Sequence, residues 1–425
     1  MRIMLYFLKT DMSRIKQLFL TYSSFWVFLV FYKIGSGLHY ALLAPLGEMV
    51  LPLWMVGAMI GIGSIIQMLL DVPAGRLLDR FGYLRLLKLT SFVFLLASVA
   101  LMLHLTALVF LLSLFLGTFG WLFFGPGVDA YTLSQAPSRR AGTFISFRDI
   151  FSSVGVVLPS ALLGWILTFN VPSMGIVIFG AMVIAFSALF FCPKEKRLPN
   201  AARQLPTHHH YIHRRPLRET LTVLKRLNPA SFTLLLLTFS SATFYGIVWF
   251  VVPLVIAHQA NSGLMSIGLG IFDFSIVVLG FVLGNLADRG NKRSLVFFGL
   301  LLFSVTAILI GFNFGWLFIL FGFLATTGDE MASISLWSWL HALDHEHAHD
   351  GLLAGIINLS NDLGWAVGPM MAGILYGVLG PSWTIASGGF LILFTWIVYQ
   401  LFMAYYPRPI GGIVPRKPHR ARHRA

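Results

Sequence analysis

Long apolar segments separated by short polar joints run along the whole chain. Most of them reach 18 residues or more with few charges, a length and composition typical of membrane-spanning helices. At about 20–25 residues for each crossing, such segments use nearly all of the 425 residues. The pattern predicts twelve spans, at roughly 18–44, 51–78, 83–104, 106–134, 139–168, 171–192, 229–258, 263–288, 292–312, 315–341, 350–379 and 381–405.

The fold class that this pattern predicts is an all-α membrane protein. The chain is 57% hydrophobic and only 11% charged, with a mean hydropathy of +0.81, and this composition excludes the soluble domains that its length alone would suggest. The single cysteine, Cys192, has no partner for an internal disulfide. The fold therefore does not depend on an oxidising compartment.

Basic residues are confined to alternate joints. Of the 30 Lys and Arg residues, 28 lie in the N-terminal segment, in or near the joints after spans 2, 4, 6 and 8, and in the C-terminal tail; the joints after the odd-numbered spans contain none. Cationic joints stay in the cytoplasm, so both termini are predicted to face inward. This topology accounts for the net charge of +14, and we expect no nucleic-acid partner. We interpret the first span as an uncleaved signal anchor.

The longest joint divides the spans into two sets of six. It covers residues 193–228 and carries nine Lys and Arg residues. We predict an N-terminal six-helix bundle at 1–192, a cytoplasmic linker at 193–228, a C-terminal six-helix bundle at 229–405 and a basic cytoplasmic tail at 406–425.

One short sequence occurs at the same place in both sets. The pattern Gly-x-x-x-Asp-Arg follows span 2 and recurs 209 residues later, after span 8, which indicates a parallel repeat. Its Asp can pair with a neighbouring Arg or lie at a helix N-terminus, and such a contact must break when a gate opens. Gly82 and Asn291 can adopt positive φ in the short turns. We predict that the gate residues are Asp71, Gly75, Asp79, Arg80, Gly82 and Arg85 in the first copy and Gly284, Asp288, Arg289, Lys292 and Arg293 in the second.

These turns and the twelve-span topology resemble the major facilitator superfamily of secondary transporters. The signature loop of that family between spans 2 and 3 reads roughly Gly-x-x-x-Asp-Arg/Lys-x-Gly-Arg/Lys-Arg/Lys, and here Tyr83 and Leu84 replace two of the bases. The resemblance implies two pseudo-symmetric bundles around a central cavity. Spans 1, 4, 7 and 10 would line this cavity, while span 2 would meet span 11, and span 5 would meet span 8, across the two halves.

Small residues at helical spacing mark spans 5 and 11. Such residues let helix backbones approach closely, and an internal Pro bends the helix. In the family, a Gly-x-x-x-Gly-Pro pattern in span 5 resembles an antiporter motif, although Leu158 replaces the second Gly here. This partial match favours an efflux-type antiporter, and ordinary helix packing is an equally good interpretation. The residues concerned are Gly155 and Pro159 in span 5, and Gly364, Gly368, Pro369 and Gly373 in span 11.

Nine charged residues lie within the predicted spans. A charge at the bilayer centre costs about 2.5–3.5 kcal/mol on insertion scales, so such residues usually face a partner or a wet cavity. By depth we assign five of them to a substrate or proton cavity: Lys33, Asp273, Asp329, Glu330 and Asp362. A gating network on the inner side is predicted to contain Asp71, Asp79, Asp129, Arg148 and Asp149, where the Arg148–Asp149 neighbours are alternatively a structural pair.

Aromatic residues on the cavity-lining spans are candidates for stacking on an organic substrate. They are equally expected at the membrane interface, where Trp and Tyr are enriched. The candidates are Tyr32, Tyr40, Tyr245, Trp249, Trp337 and Trp339.

We therefore predict a secondary transporter rather than an enzyme. It would move a small organic solute across the cytoplasmic membrane by alternating access, coupled to protons, as a monomer in the lipid bilayer and without a cofactor. Facilitated uptake by a uniporter or a symporter is an alternative. Two histidine clusters, at 208–213 and 341–349, have spacings that suit metal and leave a membrane-bound metalloenzyme open. Such an enzyme has no need of two matched halves. A channel is a further alternative, but nothing in the sequence resembles a selectivity filter.

Overall fold

The computed structural model describes residues 19–135, 141–194, 229–258, 263–272, 274–343 and 350–405, and the regular structure within these ranges is helical. We call the helices before residue 193 the first bundle: α1 (Ser23–Glu48), α2 (Leu53–Phe81), α3 (Tyr83–Met102), α4 (Ala107–Leu122), α5 (Phe124–Gln135), α6 (Ala141–Ala161), α7 (Leu163–Ile166) and α8 (Val171–Ala188). The second bundle contains α9 (Pro229–His258), α10 (Gly263–Ile271), α11 (Phe274–Arg289), α12 (Lys292–Gly311), α13 (Trp316–Leu343) and α14 (Asp350–Tyr405).

The helices are those of an integral membrane protein. Within the described ranges, nine helical stretches are long and apolar enough to cross a membrane. In hydrocarbon every backbone polar group must be satisfied internally, which an α-helix achieves within its own segment. Large apolar side chains also lie on the outer surface; Leu108 and Val378 are each 77% exposed. The prediction of an all-helical membrane protein is confirmed.

Three of the predicted spans are interrupted. Span 4 is divided between α4 and α5 at Phe123, span 5 between α6 and α7 at Leu162, and span 8 between α10 and α11 beside Phe272. Pro126 and Pro159 lie close to the first two breaks, where the missing N–H and the ring disturb the helical hydrogen bonds.

The two repeated turns have different backbone geometries. Gly82 joins α2 directly to α3 with φ of 93°, a conformation that side chains with a Cβ rarely adopt. The prediction of positive φ is thus confirmed for Gly82. For Asn291 it is wrong, since its φ is −74°. Its side chain instead accepts a hydrogen bond of 3.1 Å from the backbone N–H of Arg293, so Asn291 is the N-cap of α12.

Helix α14 contains two antiparallel segments, 350–379 and 381–405. Its 56 residues would extend about 84 Å if straight, against a hydrocarbon thickness of about 30 Å. Gly380, with φ of 72°, breaks the helix just before Pro381. The first segment lies along α9, which Gly364 and Gly368 contact, and the second lies along α12, which Gly389 contacts.

We call the end of the helices that carries Arg80, Arg85, Lys292 and Arg293 the basic end, and the end that carries Glu48 and His258 the far end. Glycines bring the two bundles into close contact toward the far end. A Cβ on Gly373 of α14 would lie 2.6 Å from the Leu53 carbonyl oxygen of α2, and one on Gly57 would collide with the Pro369 carbonyl oxygen. A second contact joins α7 to α10, where the Gly164 N–H donates to Ser266 Oγ at 2.9 Å.

We expect Gly373→Leu to separate the bundles at the far end. Overpacking of this kind costs about 1–3 kcal/mol, so the population that is open at the far end should rise about tenfold. The measurement is the rate at which a membrane-impermeant thiol reagent, added to intact cells, labels a Leu43→Cys variant. Cys192 is only 8% exposed and should react slowly.

Gly377→Leu is the matched control. It lies one turn further along the same helix, and nothing lies within 4 Å of a Cβ built on Gly377. Equal labelling rates in the two Leu variants would show that the Gly373 contact does not hold the bundles together.

Candidate functional site

A cavity of about 580 Å³ lies between the two bundles. This volume is within the range of about 300–1,000 Å³ that small-molecule sites have. Both bundles supply side chains to its wall, and charged groups and large aromatic rings alternate along it. Those that bear on function are Lys33, Tyr40, Asp71, Trp121, Asp129, Trp249, Asp362 and Trp365.

A pair of carboxyl groups crosses the interface between the bundles. The carboxyl groups of Asp71 of α2 and Asp362 of α14 lie side by side, and Asn361 neighbours Asp362. Two ionised carboxylates this close would repel each other, so a proton held between them would stabilise the contact. The structure thereby joins two residues that the sequence analysis assigned to different groups.

Lys33 lies in a second corner of the same cavity. Its Nζ is 4.6 Å from the ring centroid of Trp121 and 5.1 Å from that of Phe124, which are distances of cation–π contacts. It also interacts electrostatically with Asp129. The close approach of α6 depends on Gly155, because a Cβ there would lie 2.6 Å from both Lys33 Cβ and the Val30 carbonyl oxygen. Pro159, one turn further along α6, lies beside Gly37 of α1.

The predicted gating network is partly assembled in the structure. Arg148 of α6 bonds to Asp129 of α5 through Nη1, and to its neighbour Asp149 through Nη2 at 2.7 Å. More than a third of each carboxylate side chain is exposed, so each ion pair stabilises the fold by at most about 1 kcal/mol. Since Asp129 also lines the cavity, this network connects the cavity wall to α6.

Several predicted residues lie outside the cavity wall. The Asp329 carboxylate is buried and accepts hydrogen bonds of 2.8 Å from Ser241 and from Tyr245, inside the second bundle. Glu330 is its half-buried neighbour on α13. Tyr32 is buried in the first bundle and donates its hydroxyl proton to the Gly120 carbonyl. Asp329 thus has the partners that a structural carboxylate needs.

Other predicted residues fall outside what the structure describes. This holds for Asp273, for the linker beyond Lys194, for the tail 406–425 and for both histidine clusters except the backbone of His341, at the end of α13. For some predicted residues the structure describes the helix but not the surroundings of the side chain. These residues are Gly75, Asp79, Gly284, Asp288, Arg289, Trp337 and Trp339.

The cavity wall includes residues that the sequence analysis did not select. Trp365 lies one helical turn after Asp362 and lines the same cavity. Because residues at this spacing share one helix face, the sequence position of Asp362 could have indicated Trp365 as well. His39 carried no such signal. It is buried, with Nε2 3.0 Å from Ser113 Oγ, and Ser113 donates its own proton to the Ala97 carbonyl, so the histidine Nε2 carries a hydrogen.

An ion pair joins the bundles at the far end. His258 Nε2, at the end of α9, lies 3.1 Å from Glu48 Oε2, at the end of α1. Both side chains are partly exposed, and the interaction is an ion pair only when the imidazole is protonated.

Comparison with known proteins agrees with this architecture. The model of the Major Facilitator Superfamily matches residues 17–350 and 234–425. None of the curated protein sequences matches the chain. Among solved structures, a POT family transporter in complex with a thioalcohol-conjugated peptide has a TM-score of 0.67 at 12% identity, over 90% of this chain and 95% of that one.

Two further structures have the same fold. A bacterial homologue of the human lysosomal transporter Spinster, inward-facing and unoccupied, has a TM-score of 0.64 at 12% identity, over 90% of this chain and 95% of that one. A D-xylose–proton symporter has a TM-score of 0.62 at 16% identity, over 88% and 97%. The chain belongs to the major facilitator superfamily. Membership of this family makes it a membrane transporter rather than an enzyme.

We expect Glu48→Gln and His258→Gln each to weaken the contact between the two bundles at the far end. Their effects should not add in the double variant, because both remove the same interaction. Exposed ion pairs contribute about 0.2–1 kcal/mol, so each change should raise far-side labelling of Leu43→Cys less than about fivefold, and the double variant should add little more. His104→Gln, an exposed histidine beyond the end of α3, is the control. Fully additive effects would show that the two side chains do not interact.

Proposed function

We propose that this protein is a proton-coupled secondary transporter that moves a small organic solute across the cytoplasmic membrane by alternating access. The proposal is carried by one observation: two adjacent carboxyl groups, those of Asp71 and Asp362, bridge the two bundles inside a cavity of substrate size. A proton bound there contacts both halves of the transporter. Binding or loss of this proton would therefore act directly on the interface between the two bundles, which must open and close during transport.

The orientation follows from charge. Basic joints stay in the cytoplasm, so the basic end is the cytoplasmic side and the far end is the external side. The bundles touch through Gly57, Gly373 and the Glu48–His258 pair toward the far end. We infer that this arrangement is closed to the outside, with its cavity facing the cytoplasm. The repeated Gly-x-x-x-Asp-Arg turns would form the gate that closes the basic end in the opposite state.

The physical basis of coupling is repulsion between like charges. Two unit charges roughly 4 Å apart repel by about 4 kcal/mol at an effective dielectric constant of about 20. Loss of the shared proton would therefore drive Asp71 and Asp362 apart and favour a state in which α2 and α14 are rearranged. The other charged or titratable groups on this cavity wall are Lys33, His39, Tyr40 and Asp129. Asp129 also bonds to Arg148, which holds Asp149.

The direction that we propose is efflux by antiport. The partial antiporter pattern in span 5 supports it, and Gly155 of that pattern brings α6 against the backbone that carries Lys33. We further propose that the protein acts as a monomer whose two bundles are the domains 1–192 and 229–405, joined by a cytoplasmic linker.

We expect the conformational equilibrium to depend on pH through the carboxyl pair. On the otherwise wild-type background, labelling of Leu43→Cys from outside, divided by the rate for the denatured protein at the same pH to remove the titration of the thiol, should rise about tenfold when the pH is raised, as the shared proton is lost and the far end opens. Asp71→Asn and Asp362→Asn should each remove this dependence, because a carboxamide can donate to the remaining carboxylate without a bound proton.

Glu219→Gln, which removes a carboxyl group in the linker, is the control and should keep the wild-type pH dependence. An unchanged pH dependence in both Asn variants would exclude the pair as the proton site.

We expect purified protein in proteoliposomes to accumulate a solute against its gradient when a pH gradient is imposed. The solute is chosen by a thermal-shift screen of metabolites and drugs, and an uncoupler should abolish its accumulation. Asp71→Asn should exchange the solute without concentrating it. Equilibration that never exceeds the external concentration would show a uniporter, and accumulation with the opposite polarity of the gradient would show a symporter.

A further inference from the structure

Three aromatic rings form one corner of the cavity, which we call the aromatic corner: Tyr40 of α1, Trp249 of α9 and Trp365 of α14. The Tyr40 and Trp365 ring centroids are 5.8 Å apart with an interplanar angle of 84°, and those of Tyr40 and Trp249 are 6.3 Å apart at 67°. The rings thus stand edge to face and come from both bundles. A solute that touches all three contacts both halves at once.

The charges on the cavity wall favour a cation. Three carboxyl groups, Asp71, Asp129 and Asp362, face the cavity with one ammonium group, that of Lys33. If Asp71 and Asp362 share one proton, the pair still carries one negative charge, whereas Asp129 is already bound to Arg148. The Lys33 ammonium already lies over Trp121 and Phe124 and interacts with Asp129. The corner with the Asp71–Asp362 pair therefore keeps an excess of negative charge.

The aromatic corner and the carboxyl pair are adjacent. Asp362 and Trp365 are one turn apart on α14 and both line the cavity, and residues at this spacing on a helix are neighbours about 5–6 Å apart at Cβ. An ammonium group over the Trp365 ring would lie within reach of the Asp362 carboxylate. The ring faces attract a cation and exclude water, and the carboxylate neutralises its charge.

From this juxtaposition we propose that the transported solute is an organic cation, an amine or quaternary ammonium group on an apolar body. The inference rests on the proposed function, because it assigns the solute of the same cavity. The ammonium group binds between the aromatic corner and the carboxyl pair. The apolar body occupies the remainder of the 580 Å³ cavity.

Binding to purified wild-type protein tests the proposal with three compounds of similar shape: benzyltrimethylammonium, benzyl alcohol and phenylmethanesulfonate. We expect the cation to bind at least about tenfold more tightly than the neutral compound and the anion, measured by calorimetry. Trp365→Leu should reduce this preference to near unity. Trp383→Leu is the matched control, because Trp383 is on the same helix and 53% exposed on the outside.

The thermal unfolding midpoint shows whether the Trp365→Leu protein is folded. If it is not, the proposal is tested by the relative affinities of the three compounds for the wild type and for Tyr40→Leu. Equal binding of the three compounds, tighter binding of the anion, or no binding of the cation would each overturn the inference. If pH-driven accumulation of an anion or a neutral solute is observed, the solute class is wrong and the proposed function stands. If the cation binds but no solute accumulates in response to a pH gradient, the solute class stands and the proposed function is wrong.

Discussion

The contact between the Asp71 and Asp362 carboxyl groups is the constraint on which this arrangement of the two bundles depends. Each carboxyl group lies on a helix of a different bundle, and without a proton the two would repel each other across the interface. Removing one charge would therefore change how the two bundles pack against each other without changing the packing inside either. Under the proposed function this is the source of coupling, because the proton would act on the interface that separates the two states.

Glycine spacing makes the same interface possible at the far end. Gly57 and Gly373 let α2 and α14 touch through their backbones, and larger side chains there would hold the bundles apart. The glycines of span 11 have two distinct partners. Gly364 and Gly368 pack on α9 within the second bundle, whereas Gly373 packs on α2 of the first. One helix thus joins the interior of its own bundle to the interface, with Asp362 just before Gly364 on the side of the basic end and Trp365 between Gly364 and Gly368.

Helix positions were accessible from the sequence because the bilayer restricts the chain so strongly. Apolar length predicted the membrane helices, and the need for positive φ predicted the turn at Gly82. The same argument failed at Asn291, because its side chain can cap a helix and so supplied another way to begin α12. Depth along a helix grouped Lys33, Asp329 and Asp362 together. In the structure, Asp329 lies among hydroxyl groups of its own bundle, since depth does not specify which way a side chain faces.

By itself the sequence determined the class of protein: a bundle of apolar helices with basic residues on one side of the membrane and a repeated Gly-x-x-x-Asp-Arg turn. These features are local, since apolar length, one-sided charge and turn chemistry act within a few residues of chain. Only the tertiary structure decided which charges meet. Asp71 and Asp362 are 291 positions apart, and so they were assigned to different roles until the packing of the two bundles brought their carboxyl groups together. The aromatic corner has the same origin, because its three rings come from helices that meet only when the bundles pack together.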